Sequence, residues 1–98
     1  MTFDEIKQSG TSVVLFYGAA CAPCARLKPV MKDMAGQFGF TLHEVNVASE
    51  MEAARALGIR GVPTLVAIKD GQAEVLFTGE ENRPRIALML HSAGILTY

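Results

Sequence analysis

The two cysteines of this chain lie close together in the stretch GAACAPCARLKP, residues 18–29. Only Ala22 and Pro23 separate Cys21 from Cys24, so the spacing is Cys-x-x-Cys. Two thiols at this spacing can close an intramolecular disulfide, and such a dithiol can exchange with the disulfides of other molecules through a mixed disulfide. The pair therefore predicts thiol–disulfide exchange.

The residues around the pair assign different roles to the two sulfurs. A strand-like run, SVVLFY, ends at Tyr17, and a helical pattern begins at about Pro23, where a missing N–H is tolerated. Cys21 is thereby placed at a helix N-terminus, where free N–H groups and the helix dipole stabilise a thiolate and lower the thiol pKa from about 8.5. We expect Cys21 to be the nucleophile and a buried Cys24 to resolve the mixed disulfide.

Other uses of two cysteines fit the sequence less well. A structural zinc site takes four ligands, and only His43 and His91 can supplement the sulfurs, without a zinc-like spacing. Covalent haem attachment requires a histidine after the second cysteine, and Ala25 occupies that position. We expect no metal site within the chain, while a cluster shared between two chains or an inert pair stays open.

The first half of the chain predicts the elements that position the cysteines. Thr2 to Glu5 forms a capping box that opens a short helix, and Gly10 ends it. The run 12–17 predicts a strand covered on both faces, and the apolar spacing over 23–38 predicts a long helix. Residues 40–47 have apolar side chains on both faces, which predicts a second, central strand.

The second half predicts a helix, a hairpin and a last helix. A second capping box, Ser49 to Glu52, opens the helix that Gly58 ends. Asp70 and Gly71 favour a type I′ turn between strands at 64–68 and 73–77. Asn82 caps a helix that carries Pro84 in its first turn and ends at Gly94. The fold class is therefore α/β, a four-stranded mixed sheet with helices on both faces.

Composition limits the class of protein. Residues 1–98 form one domain, and a hydrophobic content of 50% against 19% charged residues argues against disorder. The formal net charge is −1 without a basic block, so we expect no nucleic-acid partner. The apolar stretches are too short to span a membrane, and no export leader is visible, so we expect a cytoplasmic protein. Nothing indicates a second chain, and we expect a monomer.

Several separated motifs resemble those of the thioredoxin family. CAPC is similar to the family's Cys-Gly-Pro-Cys, Pro29 matches the proline within its active-site helix, RGVPT at 60–64 matches its cis-proline loop, and KDG with Gly79 matches its hairpin. The resemblance covers the chain from about Ser12 onward. It implies a thioredoxin-like fold that lacks the family's first strand, and a redox-active Cys21–Cys24 disulfide without any other cofactor.

The same resemblance implies a binding site and partners. Pro63 is expected to be cis and to pack against the cysteines, and the Val62 backbone to bind an extended substrate segment as an added strand. Ala20, Ala22, Pro23 and Gly79 correspond to the surrounding substrate-binding positions. The implied partners are proteins that contain disulfides, and either a flavoprotein of the thioredoxin reductase type or a glutathione-linked donor.

Four positions depart from the family's pattern. Ala20 replaces a tryptophan and Ala22 replaces a glycine. Leu15 replaces a buried aspartate thought to exchange protons with the second thiol, and Glu44 replaces the lysine that is the partner of this aspartate in the family. We hypothesise that a partly buried Glu44 assists the deprotonation of Cys24. In the alternative, Glu44 reaches water at the end of its strand.

Two further functions stay open at this point. One is a thioredoxin-fold binding or assembly module of a larger complex, in which the dithiol is vestigial or regulatory. The other is a glutaredoxin-like exchanger coupled to glutathione. The presence of both cysteines and both prolines favours the enzyme, a protein-disulfide reductase, over the binding module.

Overall fold

A computed structural model of the chain describes residues 1–96. The elements, in chain order, are α1 (Phe3–Gln8), β1 (Ser12–Tyr17), α2 (Ala22–Phe38), β2 (Leu42–Asn46), α3 (Met51–Ala56), β3 (Thr64–Lys69), β4 (Gln72–Thr78) and α4 (Arg83–Ser92). One 3-10 turn, Val47–Ser49, lies between β2 and α3. The predicted order of helices and strands is confirmed, and the 3-10 turn is an addition to it.

The four strands form one mixed sheet in the order β2-β1-β3-β4. β1 pairs parallel with β2 and antiparallel with β3, and β3 pairs antiparallel with β4. The predicted fold class is confirmed. β1 and β3 are the inner strands, and their nearly continuous apolar runs are buried because both faces of the sheet are covered.

Helices cover the sheet on both sides and make two cores. On one side α2 and α4 pack their buried stripes against alternate residues of the inner strands; this core contains Val13, Leu15, Leu27, Met31, Met34, Leu65, Ile86, Leu90 and Leu96. On the other side the short helices α1 and α3 cover the remaining face; this core contains Phe3, Ile6, Val14, Phe16, Val45, Ala54, Val66 and Ile68. The long helix that begins at the cysteines is therefore anchored along most of its length.

The prediction of a central second strand was wrong. β2 is shorter than the predicted 40–47 and lies at the edge of the sheet, with Val45 as its only buried residue. Its apolar residues do face both ways, since Leu42 packs into the core under α2 and Val45 into the opposite core. An edge strand acquires this pattern here because helices extend over both faces of the sheet as far as its edge.

The second capping box was also wrong. Ser49 lies inside the 3-10 turn, and the residue before α3 is Glu50, whose side chain makes no cap hydrogen bond. The other end signals are confirmed. Thr2 and Glu5 form a reciprocal capping box, and the Asn82 side chain accepts a hydrogen bond from the Arg85 N–H.

Candidate active site

The disulfide lies at the junction of β1 and α2. Cys21 is the N-cap of α2, with extended backbone angles, and its Sγ accepts a hydrogen bond from the Cys24 N–H at 3.2 Å. Pro23 occupies the first turn, where no hydrogen bond is lost. Cys21 and Cys24 are joined as a disulfide with their Cα atoms 5.3 Å apart. A thiolate formed at Cys21 would thus meet a backbone donor and the positive end of a 17-residue helix.

The two sulfurs differ in accessibility. Cys21 is partly exposed, whereas Cys24 is only 2% exposed. An incoming disulfide can therefore reach the first sulfur and not the second. The arrangement matches the roles predicted from the sequence.

The loop before β3 lies against the first sulfur. The peptide bond between Val62 and Pro63 is cis, and Pro63 is buried. The Val62 carbonyl oxygen lies 3.9 Å from the Cys21 Sγ. In the disulfide this is a contact only, because Sγ carries no proton; in the dithiol the Cys21 S–H can donate to that oxygen.

Three polar or small residues hold this loop in place. The Gly79 N–H donates to the Pro63 carbonyl at 2.8 Å, which brings the segment after β4 beside the cis peptide. The Thr64 hydroxyl lies 2.7 Å from the Gly61 carbonyl and 2.9 Å from the Thr78 hydroxyl. A Cβ on Gly18 would lie 3.2 Å from a Val62 methyl, so a glycine permits this approach of the two loops.

A sequence model of the thioredoxin family matches residues 2–92. The chain belongs to the thioredoxin family. A thioredoxin from Rhodospirillum rubrum is 32% identical over 71 residues, which cover 70% of this chain and 68% of that protein. A thioredoxin from Pseudomonas aeruginosa is 28% identical over 89 residues, 89% of this chain and 82% of that protein. The solved structure of a mutant thioredoxin from Halobacterium salinarum matches with a TM-score of 0.77 and 29% identity, covering 97% of this chain and 83% of that one.

Membership in the thioredoxin family and the Cys21–Cys24 pair together make the chain a thiol–disulfide oxidoreductase that acts on protein disulfides. Thioredoxins perform this reaction with the cysteine pair and need no cofactor. Their partners are of two general kinds, disulfide-containing proteins and a reductase that restores the dithiol.

Small residues surround the cysteine pair in this chain. Ala20, at the position where the family places a tryptophan, is exposed and has a φ of +52°. Ala22, in place of the family's glycine, is exposed at the start of α2. A positive φ at an alanine disfavours the folded loop by roughly 1–2 kcal/mol, because Cβ crowds the following carbonyl. No large side chain from these positions covers the disulfide.

An open cleft runs beside the disulfide on the side of Tyr17. It is lined by Tyr17, Gly18, Ala20, Cys21, Ala22, Cys24, Ala25 and Lys28. Lys28 carries the only charge among these residues, and its Nζ lies 3.6 Å from the centroid of the Tyr17 ring. The sequence alone indicates a core tyrosine at Tyr17 and a solvated helix residue beside the thiols at Lys28. The spacing of Cys24 and Lys28, four positions apart on one helix, was the available signal that links the lysine to the buried sulfur.

The region beneath the cysteine pair is apolar in this chain. Leu15, at the position of the family's aspartate, is fully buried in the core under α2. Glu44 lies beside it on β2 with a side chain 25% exposed, and its carboxylate oxygens lie 3.9 Å from the Lys28 Nζ and 3.6 Å from the Lys32 Nζ. The contacts of Glu44 are thus with two cations, and its assistance to Cys24 stays a prediction.

A second groove flanks the start of α2 on the other side. Arg26 and Glu80 close it with an ion pair whose Nε–Oε1 distance is 2.7 Å, and Pro23 and Leu27 form part of its wall. Both charged side chains are more than half exposed, so the pair contributes about 0–1 kcal/mol to stability. It joins α2 to the segment that follows Gly79.

Residues 1–96 contain neither a helix that could span a membrane nor a cluster of side chains that could hold a metal ion. No helix in this range is long and apolar enough to cross a membrane. No group of three or more His, Cys, Asp and Glu side chains in the same range is arranged to hold a metal ion.

Proposed function

We propose that this protein is a reductant of protein disulfides in which Cys21 attacks and Cys24 resolves. The observation that carries the assignment is the difference between the two sulfurs. Cys21 is partly exposed and its Sγ accepts the Cys24 N–H at the start of α2, while Cys24 is 2% exposed. Stabilisation at the helix terminus favours the Cys21 thiolate, and burial keeps the Cys24 thiol out of the first step.

The proposed reaction balances in two exchanges. The Cys21 thiolate attacks one sulfur of the substrate disulfide, a bond forms between them, and the other substrate sulfur leaves as a thiolate. Cys24 then loses its proton and attacks the Cys21 Sγ, which breaks the mixed disulfide and releases the second substrate sulfur. The substrate gains two electrons and two protons, and the protein ends with the Cys21–Cys24 disulfide.

We assign substrate binding to the loops around the first sulfur. An extended substrate segment beside Val62 continues the strand pairing of β3, because Val62 lies just ahead of the first ladder pair, Thr64 with Thr78. Pro63 and Gly79, joined by the hydrogen bond from the Gly79 N–H, form one wall of this site. Ala20, Ala22 and Pro23 form the opposite wall and leave room for a large substrate residue next to the disulfide.

The setting of the reaction is part of the proposal. Residues 1–98 act as one monomeric domain in a reducing compartment, the cytoplasm, where a dithiol is kept reduced. A flavoprotein reductase of the thioredoxin reductase type restores the dithiol, and a glutathione-linked donor is the alternative. The two donors are distinguished by supplying either one to the oxidised protein and following the release of thiols.

Reduction of insulin disulfides by dithiothreitol tests the proposal. We expect catalysis by the wild-type protein, no catalysis by Cys21→Ser, and a stable covalent adduct between Cys24→Ser and a disulfide substrate. Cys21→Ser should form no such adduct, which makes it the matched control. Absence of turnover in the wild type, with the disulfide intact and reducible, would instead favour a binding or assembly module.

A further inference from the structure

Lys28 carries the positive charge in the open cleft beside the disulfide, and it lies four residues after Cys24 on α2. Residues i and i+4 of a helix are neighbours, with Cβ atoms about 5–6 Å apart, and long helical side chains lean back toward the preceding turn. This spacing makes Lys28 a neighbour of Cys24 on α2, and both residues line the same cleft. The cleft thus contains one positive charge beside a thiol that must become negative.

Two contacts hold the ammonium group of Lys28. Its Nζ lies 3.6 Å from the centroid of the Tyr17 ring and 3.9 Å from an oxygen of Glu44. The side chain is 30% exposed, so the charge is partly shielded from water and its field is weakened less than that of a free surface lysine. A cation over an aromatic face is attracted by the negative face of the ring, which keeps the group in the cleft.

None of the described residues that line the cleft with Cys24 carries a carboxylate, and the neighbouring elements contribute other groups. β1 contributes the apolar Leu15 and the phenol of Tyr17, and the loop before β3 contributes the uncharged Val62 and Pro63. β2 contributes Glu44, whose carboxylate contacts lysines of α2. The charge nearest to the second sulfur along the cleft is therefore that of Lys28.

We propose that Lys28 is a positioning residue that stabilises the Cys24 thiolate while this thiolate resolves the mixed disulfide. The inference rests on the proposed function, since it concerns the second exchange of that reaction. Cys24 releases its proton to water in the cleft, its thiolate attacks the Cys21 Sγ, and the departing substrate thiolate takes up a proton. Lys28 takes no part in the proton transfer and supplies only its positive charge.

The experiment follows the second exchange by itself. Reduced protein is mixed with an excess of 5,5′-dithiobis(2-nitrobenzoate), so that Cys21 forms a mixed disulfide and releases one thionitrobenzoate. Attack by Cys24 then releases the second one, and its rate is measured by stopped flow over a range of pH. Lys28→Met removes the charge, Lys28→Gln is a second neutral variant should that one not fold, and Lys28→Arg keeps the charge.

Lys32 provides the matched control. It contacts the same carboxylate, 3.6 Å from Glu44, but it is 65% exposed and does not line the cleft. An opposite charge within a few ångströms shifts a pKa by about 1–3 units, and partial exposure places Lys28 at the lower end of that range. We therefore expect Lys28→Met or Lys28→Gln to move the pH profile about one unit higher and to slow the second release about tenfold near neutral pH. Lys28→Arg and Lys32→Met should remain within about threefold of the wild type.

Three results would overturn the inference. The pH profile of the neutral Lys28 variants could match the wild type, Lys32→Met could shift it as far as they do, or Lys28→Arg could fail to restore it. In each of these three results the wild-type protein still releases the second thionitrobenzoate. Failure of the wild type to release the second thionitrobenzoate would instead refute the proposed function, so the two failures are distinguishable.

Discussion

Replacing Leu15 by aspartate tests the apolar character of the region beneath the active site. Leu15 is fully buried on the inner strand β1, paired with Leu65 of β3 and next to Glu44 of β2. Loss of a buried leucine costs about 3–5 kcal/mol in the free energy of unfolding. In an apolar core the pKa of the new carboxyl group should rise by about 3 units, and each unit is worth about 1.4 kcal/mol. Leu15→Asp should therefore lose up to about 4 kcal/mol more than Leu15→Asn, which has the same shape and no charge.

The sign of the pH dependence follows from the raised pKa. The folded state of Leu15→Asp binds a proton that the unfolded state has already lost above about pH 4, so its stability falls as pH rises from there to the raised folded pKa. Urea unfolding of the oxidised variants, followed by circular dichroism, should give equal stabilities for Leu15→Asp and Leu15→Asn in acid and a growing gap toward neutral pH. A gap that does not change with pH would show that the carboxylate has found a cation or water, and that the region is not apolar as described.

Three other perturbations have defined outcomes. The Thr2 N–H donates to the Glu5 carboxylate at 2.7 Å, and this hydrogen bond is the main reason why the Glu5 pKa is lowered from 4.5. The ionised Glu5 side chain therefore stabilises the folded state above pH 4.5, and this stabilisation is lost as pH falls through the folded pKa. Glu5→Gln should thus melt at a lower temperature than the wild type at neutral pH and at the same temperature in strong acid. Ala20→Gly should raise the free energy of urea unfolding by about 0.5–1 kcal/mol, because φ at this position is +52°. Glu44→Gln should speed the Cys24 exchange step about two- to fivefold near neutral pH, as measured by stopped flow.

The elements set by local chemistry could be predicted from the sequence. Asp70 and Gly71 both adopt positive φ in the turn between β3 and β4, as their residue types indicate. Thr2 and Asn82 cap α1 and α4 because each side chain bonds an N–H only three residues away. These signals need no knowledge of the rest of the chain.

One competing local hydrogen bond and two non-local effects explain what the sequence analysis missed. The Asn46 side chain accepts the Ala48 N–H and begins a 3-10 turn, which places Ser49 inside that turn and not at a helix start. Glu50 then precedes α3, but its carboxylate accepts the Phe3 N–H of α1, 47 positions away in the sequence. The order of strands is also non-local, since a two-faced apolar pattern does not reveal whether a strand has one neighbour or two.

The active site also has one part that local sequence predicts and another part that depends on contacts between distant elements. The roles predicted for Cys21 and Cys24 rest on their spacing and their place before a helix, both of which are local. The cleft beside them depends on contacts between α2, β1 and β2, in which Lys28 meets Tyr17 and Glu44. No local pattern marks these three residues as neighbours, so the sequence alone indicates a core tyrosine, a solvated lysine, and a glutamate that either assists Cys24 or reaches water.

The direction of the Glu44→Gln effect separates two accounts of how Cys24 is activated. If the carboxylate takes the proton of Cys24, its removal must slow the second exchange. If Lys28 acts through its charge, Glu44 weakens that charge from 3.9 Å away, and its removal must speed the exchange. The geometry favours the second account, because the Glu44 carboxylate contacts Lys28 and Lys32, whereas Cys24 lines a cleft in which Lys28 carries the only charge among the lining residues.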